Sequence, residues 1–590
     1  MAVAVDTVTW DLEPLVGGKG PAGVDELLDE AEAIATQLSE QRGKVASFGP
    51  AELESFMRAL ERLADLTGRA GSYAALWFST DTTDPERGAL LQRVQERSTA
   101  ISTKLVFFEL EWATLEDDRA EELLAHEGLA FCRHHLRMQR RYRDFLLSEP
   151  EEKILKEKAV TGSAAWSRLF EEHTSTIQAE LDGERVPLME ALSRLQDPDR
   201  AVRRRAAEAV TAALAPGLRM RAFIYNTLVY DKAVDDRLRG YPHWLAARNL
   251  ANEVSDGSVR SLIEAVTARY DIPQRWYALK AKLLGLDRLA DYDRMAPLVA
   301  DDVTMAWDEA VELVLDSYRS FSDELGAAAA RFVNEPWIDA PVRPGKRPGA
   351  FCSYTVPSVH PYILLNWTNR RRDALTLAHE LGHGVHALLA SVQGIFHQST
   401  PLTLAETASV FGETIVFGRL LDQIDDPRQR LGLLAENLEG AIATVFRQIA
   451  MNRFEDAVHE ARRAQGELSV DTLCSLWRQT QEAMLGDSVE LTKGYDTWWS
   501  YVPHFIGAPG YVYAYAYGQL LALSVYRRYE ELGDAFVDDY LTMLRSGGSM
   551  SPEELGALVG IDLTDPGFWD KGLSLVEERL RQAEALAASL

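Results

Sequence analysis

Apolar residues recur at helical spacing over most of the chain, and charged residues fill the positions between them. One such stretch is VDELLDEAEAIATQLSEQ, residues 24–41. A second, residues 192–216, holds two helical pieces with a turn between them at Asp197-Pro198. EELGALVG and LSLVEERLRQAEALAASL, further towards the C-terminus, repeat the pattern. The periodicity therefore predicts a mainly α protein.

One region departs from the helical pattern. Residues 337–368 are rich in Pro and Gly and then pass into β-favouring residues, among which PYILLNW is the best strand candidate. This region lies immediately before an apolar helical run at 375–386. We therefore expect a small β-sheet beside that helix. We further expect PYILLNW to offer an exposed strand edge that pairs with an extended peptide.

That helical run, LTLAHELGHGVH, contains three histidines and one glutamate. His379, Glu380 and His383 form an H-E-x-x-H motif, and positions i and i+4 lie on one face of a helix. The spacing lets two imidazoles bind a single Zn²⁺. Glu380 lies one step round the helix, where it can reach water at the metal without being a ligand.

The alternative interpretation is a surface helix that carries this motif by chance. However, LTLAHELGHGVHALLA is apolar around its whole circumference, so its burial would leave the charged motif without water. Because a buried unpaired charge is costly, the context favours a metal as the partner. Asp373, near the predicted helix start, can cap free backbone N–H groups.

A catalytic zinc site needs a third protein ligand, and the segment PLTLAETASVFGE offers two glutamates seven residues apart. Glu406 follows an apolar run and precedes the small residues Thr407, Ala408 and Ser409, which let two helices approach closely. We therefore predict Glu406 as the third ligand. Glu413 is a weaker alternative, or a partner that supports a ligand.

A second cluster of polar residues lies in HFIGAPGYVYAYAYGQ, residues 504–519. His504 precedes two glycines and four tyrosines at alternate positions: Tyr511, Tyr513, Tyr515 and Tyr517. We predict a glycine-rich loop that enters a helix. An aromatic packing stripe is the alternative for some of the four, above all for Tyr517. The functional interpretation is a hydrogen-bond donor to the oxyanion that develops on a peptide carbonyl.

Composition and charge narrow the class of partner. The 590 residues include 62 basic and 90 acidic ones, for a formal charge of −28. Such an acidic surface argues against nucleic acid or an anionic membrane as the main partner. The three cysteines lack C-x-x-C spacing, so we expect no disulfide framework and a reducing compartment. With no secretory signal or membrane-spanning segment recognisable, we expect a cytoplasmic protein.

Four of the stretches together resemble the thimet-oligopeptidase family of zinc metallopeptidases, in its oligoendopeptidase F-like branch. The matching stretches are GKRPGAF (345–351), LTLAHELGHGVH (375–386), LAETAS (404–409) and HFIGAPGYVYAYAYG (504–518). The resemblance implies an α-rich, two-lobed protein with a deep channel for short, unstructured peptides. We place a domain boundary after residue 195, between an N-terminal helical lobe (1–195) and a catalytic zinc metallopeptidase domain (196–590).

The resemblance also implies roles for individual residues. His379, His383 and Glu406 would hold one Zn²⁺ per chain, and Glu380 would be the general base. His504 and a following tyrosine would stabilise the tetrahedral intermediate. Two tyrosines of the family map onto Tyr511 and Tyr515, with Tyr513 left open. His386 matches the family pattern without an assigned chemical role.

Three functional classes stay open at this point. The first is an oligopeptidase that cleaves internal bonds, which the resemblance favours. The second is a zinc carboxypeptidase or peptidyl-dipeptidase, for which Arg343, Lys346 and Arg347 are candidates to bind a terminal carboxylate. The third is a non-enzymatic helical scaffold with an incidental histidine pair. The sequence gives no indication of cleavage preference or oligomeric state.

Overall fold

The computed structural model describes residues 5–159, 161–298 and 303–590, and it confirms the mainly α prediction. The α-helices of these residues are α1 (Glu13–Val16), α2 (Pro21–Ser39), α3 (Pro50–Thr80), α4 (Pro85–Thr103), α5 (Val106–Ala113), α6 (Asp117–Leu124), α7 (Arg133–Arg140), α8 (Glu149–Ala159), α9 (Ser163–Ser175), α10 (Leu188–Ser193), α11 (Arg200–Leu214), α12 (Leu218–Arg239), α13 (Ala246–Ala251), α14 (Asp256–Ala268), α15 (Asp271–Leu283), α16 (Trp307–Phe321), α17 (Asp323–Asn334), α18 (Arg371–Ala390), α19 (Leu402–Asp422), α20 (Pro427–Ala441), α21 (Arg447–Gln465), α22 (Val470–Leu485), α23 (His504–Gly507), α24 (Tyr513–Leu532), α25 (Val537–Ser546), α26 (Pro552–Leu558) and α27 (Pro566–Ser589).

The helices predicted from periodicity are present. The stretch 24–41 lies in α2, and 192–216 divides between the end of α10 and α11, as the predicted turn requires. Asp199 caps the start of α11, because its side-chain oxygen accepts a hydrogen bond from the backbone N–H of Ala201 at 2.8 Å. Polar caps of this kind set the helix starts that apolar spacing leaves undefined.

The strands are short and form three small sheets among the described residues. They are β1 (Gln178–Leu181), β2 (Glu184–Pro187), β3 (Leu289–Ala290), β4 (Ile338–Pro341), β5 (Phe351–Ser353), β6 (Tyr362–Trp367) and β7 (Val489–Glu490). β1 pairs antiparallel with β2, and β3 pairs parallel with β7. The third sheet has the order β4-β6-β5, with β6 parallel to β4 and antiparallel to β5.

PYILLNW is a strand, as predicted, but the prediction that it offers an exposed edge is wrong. This segment forms β6, which lies in the centre of its sheet and has its backbone groups paired on both sides. The edge beside α18 belongs instead to β5, and α18 packs on both β5 and β6. The predicted small sheet next to the histidine-bearing helix is therefore present, with a different strand at its edge.

The chain folds into two compact units, each built from segments that are far apart in sequence. Unit 1 comprises Met1–Asp144, Asp301–Asp422 and Val525–Asp562. Unit 2 comprises Phe145–Ala300, Gln423–Ser524 and Leu563–Leu590. The boundary predicted after residue 195 lies inside the first segment of unit 2. It is a different division of the chain and stays a prediction.

Each unit has its own apolar core. In unit 1, buried residues of α1 to α4 pack together with Tyr362 of β6, whose hydroxyl donates to the backbone carbonyl of Asp11 at 2.8 Å. In unit 2, Tyr225 and Phe454 pack on Phe505, with ring centroids 6.0 Å and 5.1 Å away. Because Phe505 follows His504 directly, this aromatic core holds α23 in place. Among the described residues, no helix combines the length and hydropathy that crossing a membrane requires.

Candidate active site

The candidate metal centre lies on α18, whose start is set by Asp373. One Asp373 carboxylate oxygen accepts from the backbone N–H of Arg370 at 3.1 Å and from that of Thr368 at 2.7 Å. These bonds satisfy free donors where β6 passes into the helix. The predicted cap is therefore present.

α18 and α19 approach each other closely at Gly382. A Cβ atom at this position would lie 2.5 Å from the Ala408 carbonyl oxygen and 2.5 Å from the Ser409 Cα. Only glycine leaves room for the backbone of α19 at that separation. The small residues on α19 act as predicted, but the matching glycine inside the motif also contributes. The close approach brings the histidines of α18 to the glutamates of α19.

His379, His383 and Glu406 offer one ligand atom each, and these atoms all lie within 4.8 Å of one another. The Nε2 atoms of His379 and His383 are 3.3 Å and 3.6 Å from the same Glu406 carboxylate oxygen. Two imidazole nitrogens and one carboxylate oxygen that converge in this way fit the ligand set of a catalytic zinc ion. Among the described residues, no other group of His, Cys, Asp and Glu converges in this way.

Each of these three side chains also hydrogen-bonds to a neighbouring group outside the three. Nδ1 of His379 lies 3.1 Å from a carboxylate oxygen of Glu413. The Ser409 hydroxyl donates to the Glu406 carboxylate at 2.8 Å, and the His383 ring hydrogen-bonds to the Ala405 backbone. Such contacts orient metal-binding imidazoles and raise their basicity. Of the two roles considered for Glu413, the geometry favours the support of His379.

The environment favours an ionised Glu406 beside one protonated histidine. Burial alone would raise the pKa of Glu406, but the hydrogen bond and charge of His379 lower it to about 2. Burial opposes the charge on His379, yet hydrogen bonds to Glu406 and Glu413 prevail and raise its pKa well above the ordinary value. Burial lowers the pKa of His383 to about 4. These directions describe an ion pair between Glu406 and His379, and a metal ion that binds here must displace the His379 proton.

The pKa of Glu380 is shifted in the opposite direction from that of Glu406. The Glu380 side chain is buried, and burial is the main reason why its pKa rises from 4.5 to about 7. The Glu406 charge raises this pKa further, while His379 and a backbone hydrogen bond from Cys352 of β5 lower it. A carboxyl that titrates near neutral pH can both accept and return a proton.

Two further residues, His386 and Tyr354, lie near the histidines of the candidate metal centre. His386 is buried, its Nδ1 has no hydrogen-bond partner among the described residues, and burial lowers its pKa to about 3. It is therefore a neutral ring packed behind the motif. Sequence reasoning missed Tyr354, whose ring centroid is 6.5 Å from that of His383. Its position one residue past β5, beside the predicted sheet, was the available signal.

The predicted aromatic cluster forms within unit 2. Nε2 of His504 lies 3.3 Å from the Tyr515 hydroxyl. The rings of Tyr511 and Tyr515 meet edge to face with centroids 4.9 Å apart. All three side chains are partly exposed. Burial lowers the pKa of His504, which favours the neutral ring.

The other two tyrosines of the cluster are fully buried. Tyr513 donates to Asn249 at 2.8 Å and accepts from Asn252 at 2.9 Å. Tyr517 lies 2.9 Å from the Ser258 hydroxyl. Both phenols are thus bound inside unit 2, and the partly exposed pair is Tyr511 and Tyr515. The segment is a loop that enters a helix, as predicted, with the extra short helix α23 before it.

Comparison with known proteins identifies the family. The sequence profile of peptidase family M3 matches residues 193–575, more than half of the chain, and an oligopeptidase F profile matches residues 111–178. The chain therefore belongs to peptidase family M3. It is an oligopeptidase, and it belongs to the metalloendopeptidases.

Individual relatives agree over nearly the whole length. The oligopeptidase PepF of Bacillus subtilis is 26% identical over 98% of this chain and 87% of its own. The group B oligopeptidase PepB of Streptococcus agalactiae is 27% identical over 98% and 97% of the two chains. The crystal structure of oligoendopeptidase-F from Enterococcus faecium superposes with a TM-score of 0.74, at 23% identity over 96% of this chain and 99% of that one. This last likeness shows the fold.

Proposed function

We propose that this protein is a zinc-dependent oligoendopeptidase that hydrolyses internal bonds of short, unstructured peptides. One observation carries the proposal. His379, His383 and Glu406 converge within 4.8 Å, next to the buried Glu380 carboxyl with a pKa of about 7. α18 thus presents two of the three cation-binding side chains together with a base that titrates near neutral pH.

His379, His383 and Glu406 are the residues that would hold the metal, and their two nitrogens and one oxygen favour zinc. When bound, zinc supplies Lewis-acid activation of water and of the scissile carbonyl. Glu413 would keep Nδ1 of His379 protonated, so that Nε2 faces the ion. Ser409 restrains the Glu406 carboxylate through its hydrogen bond.

Glu380 is the proposed general base. Its carboxylate accepts a proton from the attacking water as that water adds to the peptide carbonyl carbon. The same carboxyl then donates the proton to the leaving amine. The raised pKa suits both steps because the free-energy cost of each proton transfer is then small near neutral pH.

His504, Tyr511 and Tyr515 are the proposed hydrogen-bond donors to the negative oxygen of the tetrahedral intermediate. The hydrogen bond between His504 and Tyr515 keeps both polar ends together on partly exposed side chains. Donors held in place before reaction stabilise developing charge without reorganisation. Tyr513 is left out of this role because its hydroxyl is bound by Asn249 and Asn252.

The edge of β5 is the proposed guide for the peptide backbone. β5 has β6 on one side and lies at the edge of its sheet. It packs on α18, and its Cys352 backbone bonds to Glu380. An extended peptide that added to this edge would pair main chain to main chain, which holds a substrate independently of its sequence.

The direct test is Glu380→Gln, measured beside Glu116→Gln as a control at an exposed carboxylate of unit 1. We expect the Glu380 variant to keep its metal and fold and to lose at least about 10²–10⁴ in kcat on a quenched ten-residue peptide. The control should match the unmodified protein. Substantial turnover by the metal-loaded Glu380→Gln protein would reject Glu380 as the base.

A peptide-library digest, with and without a chelator, separates the functional classes. Internal cleavage that a chelator abolishes and Zn²⁺ restores is the expected result. Removal of one or two C-terminal residues would indicate the exopeptidase. Two of the three residues considered for binding a terminal carboxylate, Arg343 and Lys346, already pair with Asp339, at 2.5 Å and 2.6 Å. These ion pairs argue against the exopeptidase. Absence of chelator-sensitive cleavage would indicate the scaffold.

Size selection and location are further parts of the proposal. We expect a ten-residue peptide to be cleaved and a folded protein to be spared when the two are digested side by side. Equal cleavage would contradict the channel that the resemblance implies. The cytoplasmic location expected from the cysteine content stays a prediction.

A further inference from the structure

A buried carboxyl outside the metal centre contacts the loop before Tyr511. Glu455 of α21 has no exposed surface, and its Oε1 accepts from the backbone N–H of Gly510 at 2.9 Å. Its other oxygen, Oε2, has no hydrogen-bond partner among the described residues. The carboxyl is therefore buried in the core of unit 2 with a single backbone N–H as its hydrogen-bond donor. Burial of a carboxyl for one bond is costly.

The opposite end of the same peptide group is also held. The Pro509 carbonyl accepts from Nε and Nη2 of Arg248, each at 3.4 Å. The Pro509 carbonyl and the Gly510 N–H belong to one planar peptide unit. Arg248 and Glu455 thus bind its acceptor end and its donor end. We call this arrangement the peptide clamp.

Packing restricts the same turn from a third side. Gly510 has a φ of +71°, which favours glycine. A Cβ atom there would lie 2.6 Å from a methyl carbon of Leu245. The turn closes with the backbone N–H of Tyr511 donating to the Ala508 carbonyl at 3.1 Å. The Pro509–Gly510 peptide group lies inside this turn, so its orientation affects the direction in which Tyr511 leaves the turn.

We infer that the peptide clamp of Arg248 and Glu455 positions Tyr511, and through the contact between the two rings Tyr515, for hydrogen bonding to substrate. The catalytic meaning of this inference rests on the proposed function, whereas the positioning does not. Glu455 and Arg248 are positioning residues that act through the loop. Burial raises the pKa of Glu455 to about 8, so a neutral side chain of the same shape can replace it.

The test uses full-length protein and a matched control. Glu455→Ala removes the acceptor of the Gly510 N–H, and Glu455→Gln retains one. Asp291→Ala is the control, because Asp291 is also a buried carboxyl of unit 2. One of its oxygens has no partner among the described residues, and the other accepts from the Thr492 N–H at 2.8 Å. Arg248 is only partly buried, so Arg248→Ala serves if Glu455→Ala does not fold.

Kinetics on a quenched peptide give the first readout. We expect Glu455→Ala to lower kcat about 10-fold to 100-fold, as for a displaced oxyanion donor, with KM changed less than about threefold. Glu455→Gln should restore kcat to within about threefold, and Asp291→Ala should leave it unchanged. In a Tyr511→Phe background Glu455→Ala should cost clearly less activity than in the unmodified protein, because only the effect passed to Tyr515 through the retained ring remains. An equal loss in both backgrounds overturns the inference.

Fluorine NMR of 3-fluorotyrosine at position 511 gives a readout that needs no catalysis. We expect the signal to shift or broaden in Glu455→Ala and Arg248→Ala and to stay unchanged in Glu455→Gln and Asp291→Ala. An unmoved signal in folded Glu455→Ala and Arg248→Ala overturns the clamp. A moved signal combined with full activity of Tyr511→Phe retains the clamp and rejects the proposed role of Tyr511.

Discussion

Glu380 and Glu406 lie on neighbouring helices, carry the same carboxyl group and receive opposite properties from their surroundings. Burial raises the pKa of Glu380 to about 7. For Glu406 burial acts in the same direction, but the hydrogen bond and charge of His379, with the charge of His383 and the hydrogen bond from Ser409, together outweigh it and bring the pKa to about 2. Environments that separate two pKa values in this way assign one carboxyl to proton transfer and the other to charge binding.

The metal content of alanine variants distinguishes the roles of Glu406 and Glu413, the two glutamates of α19. Glu406→Ala should lose the bound metal, because it removes one of three converging ligand atoms. Glu413→Ala should keep stoichiometric metal with affinity lowered about 10-fold to 100-fold, as expected for a residue that supports a ligand. Elemental analysis after dialysis against a weak chelator measures both. Metal loss in the Glu413 variant alone would show that Glu406 is the wrong third ligand.

Tyr515 and Tyr513 form a matched pair for the proposed oxyanion donors. Tyr515→Phe removes the partly exposed hydroxyl that meets His504, and we expect kcat to fall about 10²-fold. Tyr513→Phe removes the buried hydroxyl that bonds to Asn249 and Asn252. It should cost about 1–3 kcal/mol of stability with little change in kcat. Equal kcat losses in the two folded variants would count against the assignment.

At the scale of elements, the site depends on how closely α18 approaches α19. The i, i+4 spacing places two histidines on one face of α18, but the third ligand comes from a separate helix. Gly382 permits the contact because the backbone of α19 occupies the space of a side chain. A change of a few tenths of an ångström there moves Glu406 relative to both imidazoles.

Gly382→Ala tests this dependence, with Gly418→Ala as its control on α19. The new Cβ at 382 would overlap backbone atoms at 2.5 Å, whereas nothing lies within 4 Å of a Cβ at 418. We expect Gly382→Ala to cost about 1–3 kcal/mol and to weaken metal binding. Gly418→Ala should be neutral or stabilise the helix by up to about 1 kcal/mol. Thermal melts and metal titration report the outcome; unchanged affinity in Gly382→Ala would refute the role of the contact.

At the scale of the whole molecule, each compact unit is assembled from three segments of the chain. In unit 2 the C-terminal helix α27 is joined to preceding parts of the chain by ion pairs. Glu577 accepts from Arg275 at 2.8 Å and from Arg269 at 2.8 Å. Contacts of this kind link the last segment to the first one of the unit.

Acid should weaken this link. Hydrogen bonds from Arg275 and Arg269 lower the pKa of Glu577 from 4.5 to about 2. A lowered native-state pKa gives stability that is fully present above about pH 4.5 and is lost as the pH falls towards 2. We expect Glu577→Gln to be about 1 kcal/mol less stable than the unmodified protein at pH 7, and this difference to shrink steadily below about pH 4.5 and to disappear only below about pH 2.

Urea unfolding of the unmodified protein and of Glu577→Gln at pH 7, 4 and 2.5 measures this difference. Glu467→Gln, which removes an exposed negative charge of the same unit, controls for the change in net charge. A stability difference that stays constant across these pH values would contradict the linkage.

Patterns that extend over only a few helical turns could be recognised from the sequence alone. The i, i+4 histidines, the apolar context of Glu380 and the small residues after Glu406 indicated one group, and three of these side chains converge. The four alternating tyrosines were ambiguous, because spacing does not show which phenol is buried. Tyr354 and Glu455 were missed, since neither belongs to a local motif and both depend on neighbours far along the chain.

By itself the sequence determined the helical class, the placement of the small sheet and the residues with metal-binding chemistry. These three features follow from the periodicity and the type of side chains within short stretches of the chain. Only the tertiary structure decided that β6 is central and β5 the edge, that Tyr513 is buried and Tyr515 is not, and that Glu455 holds the turn before Tyr511. Strand pairing, burial and backbone contacts of this kind join segments tens to hundreds of residues apart, so no local pattern specifies them.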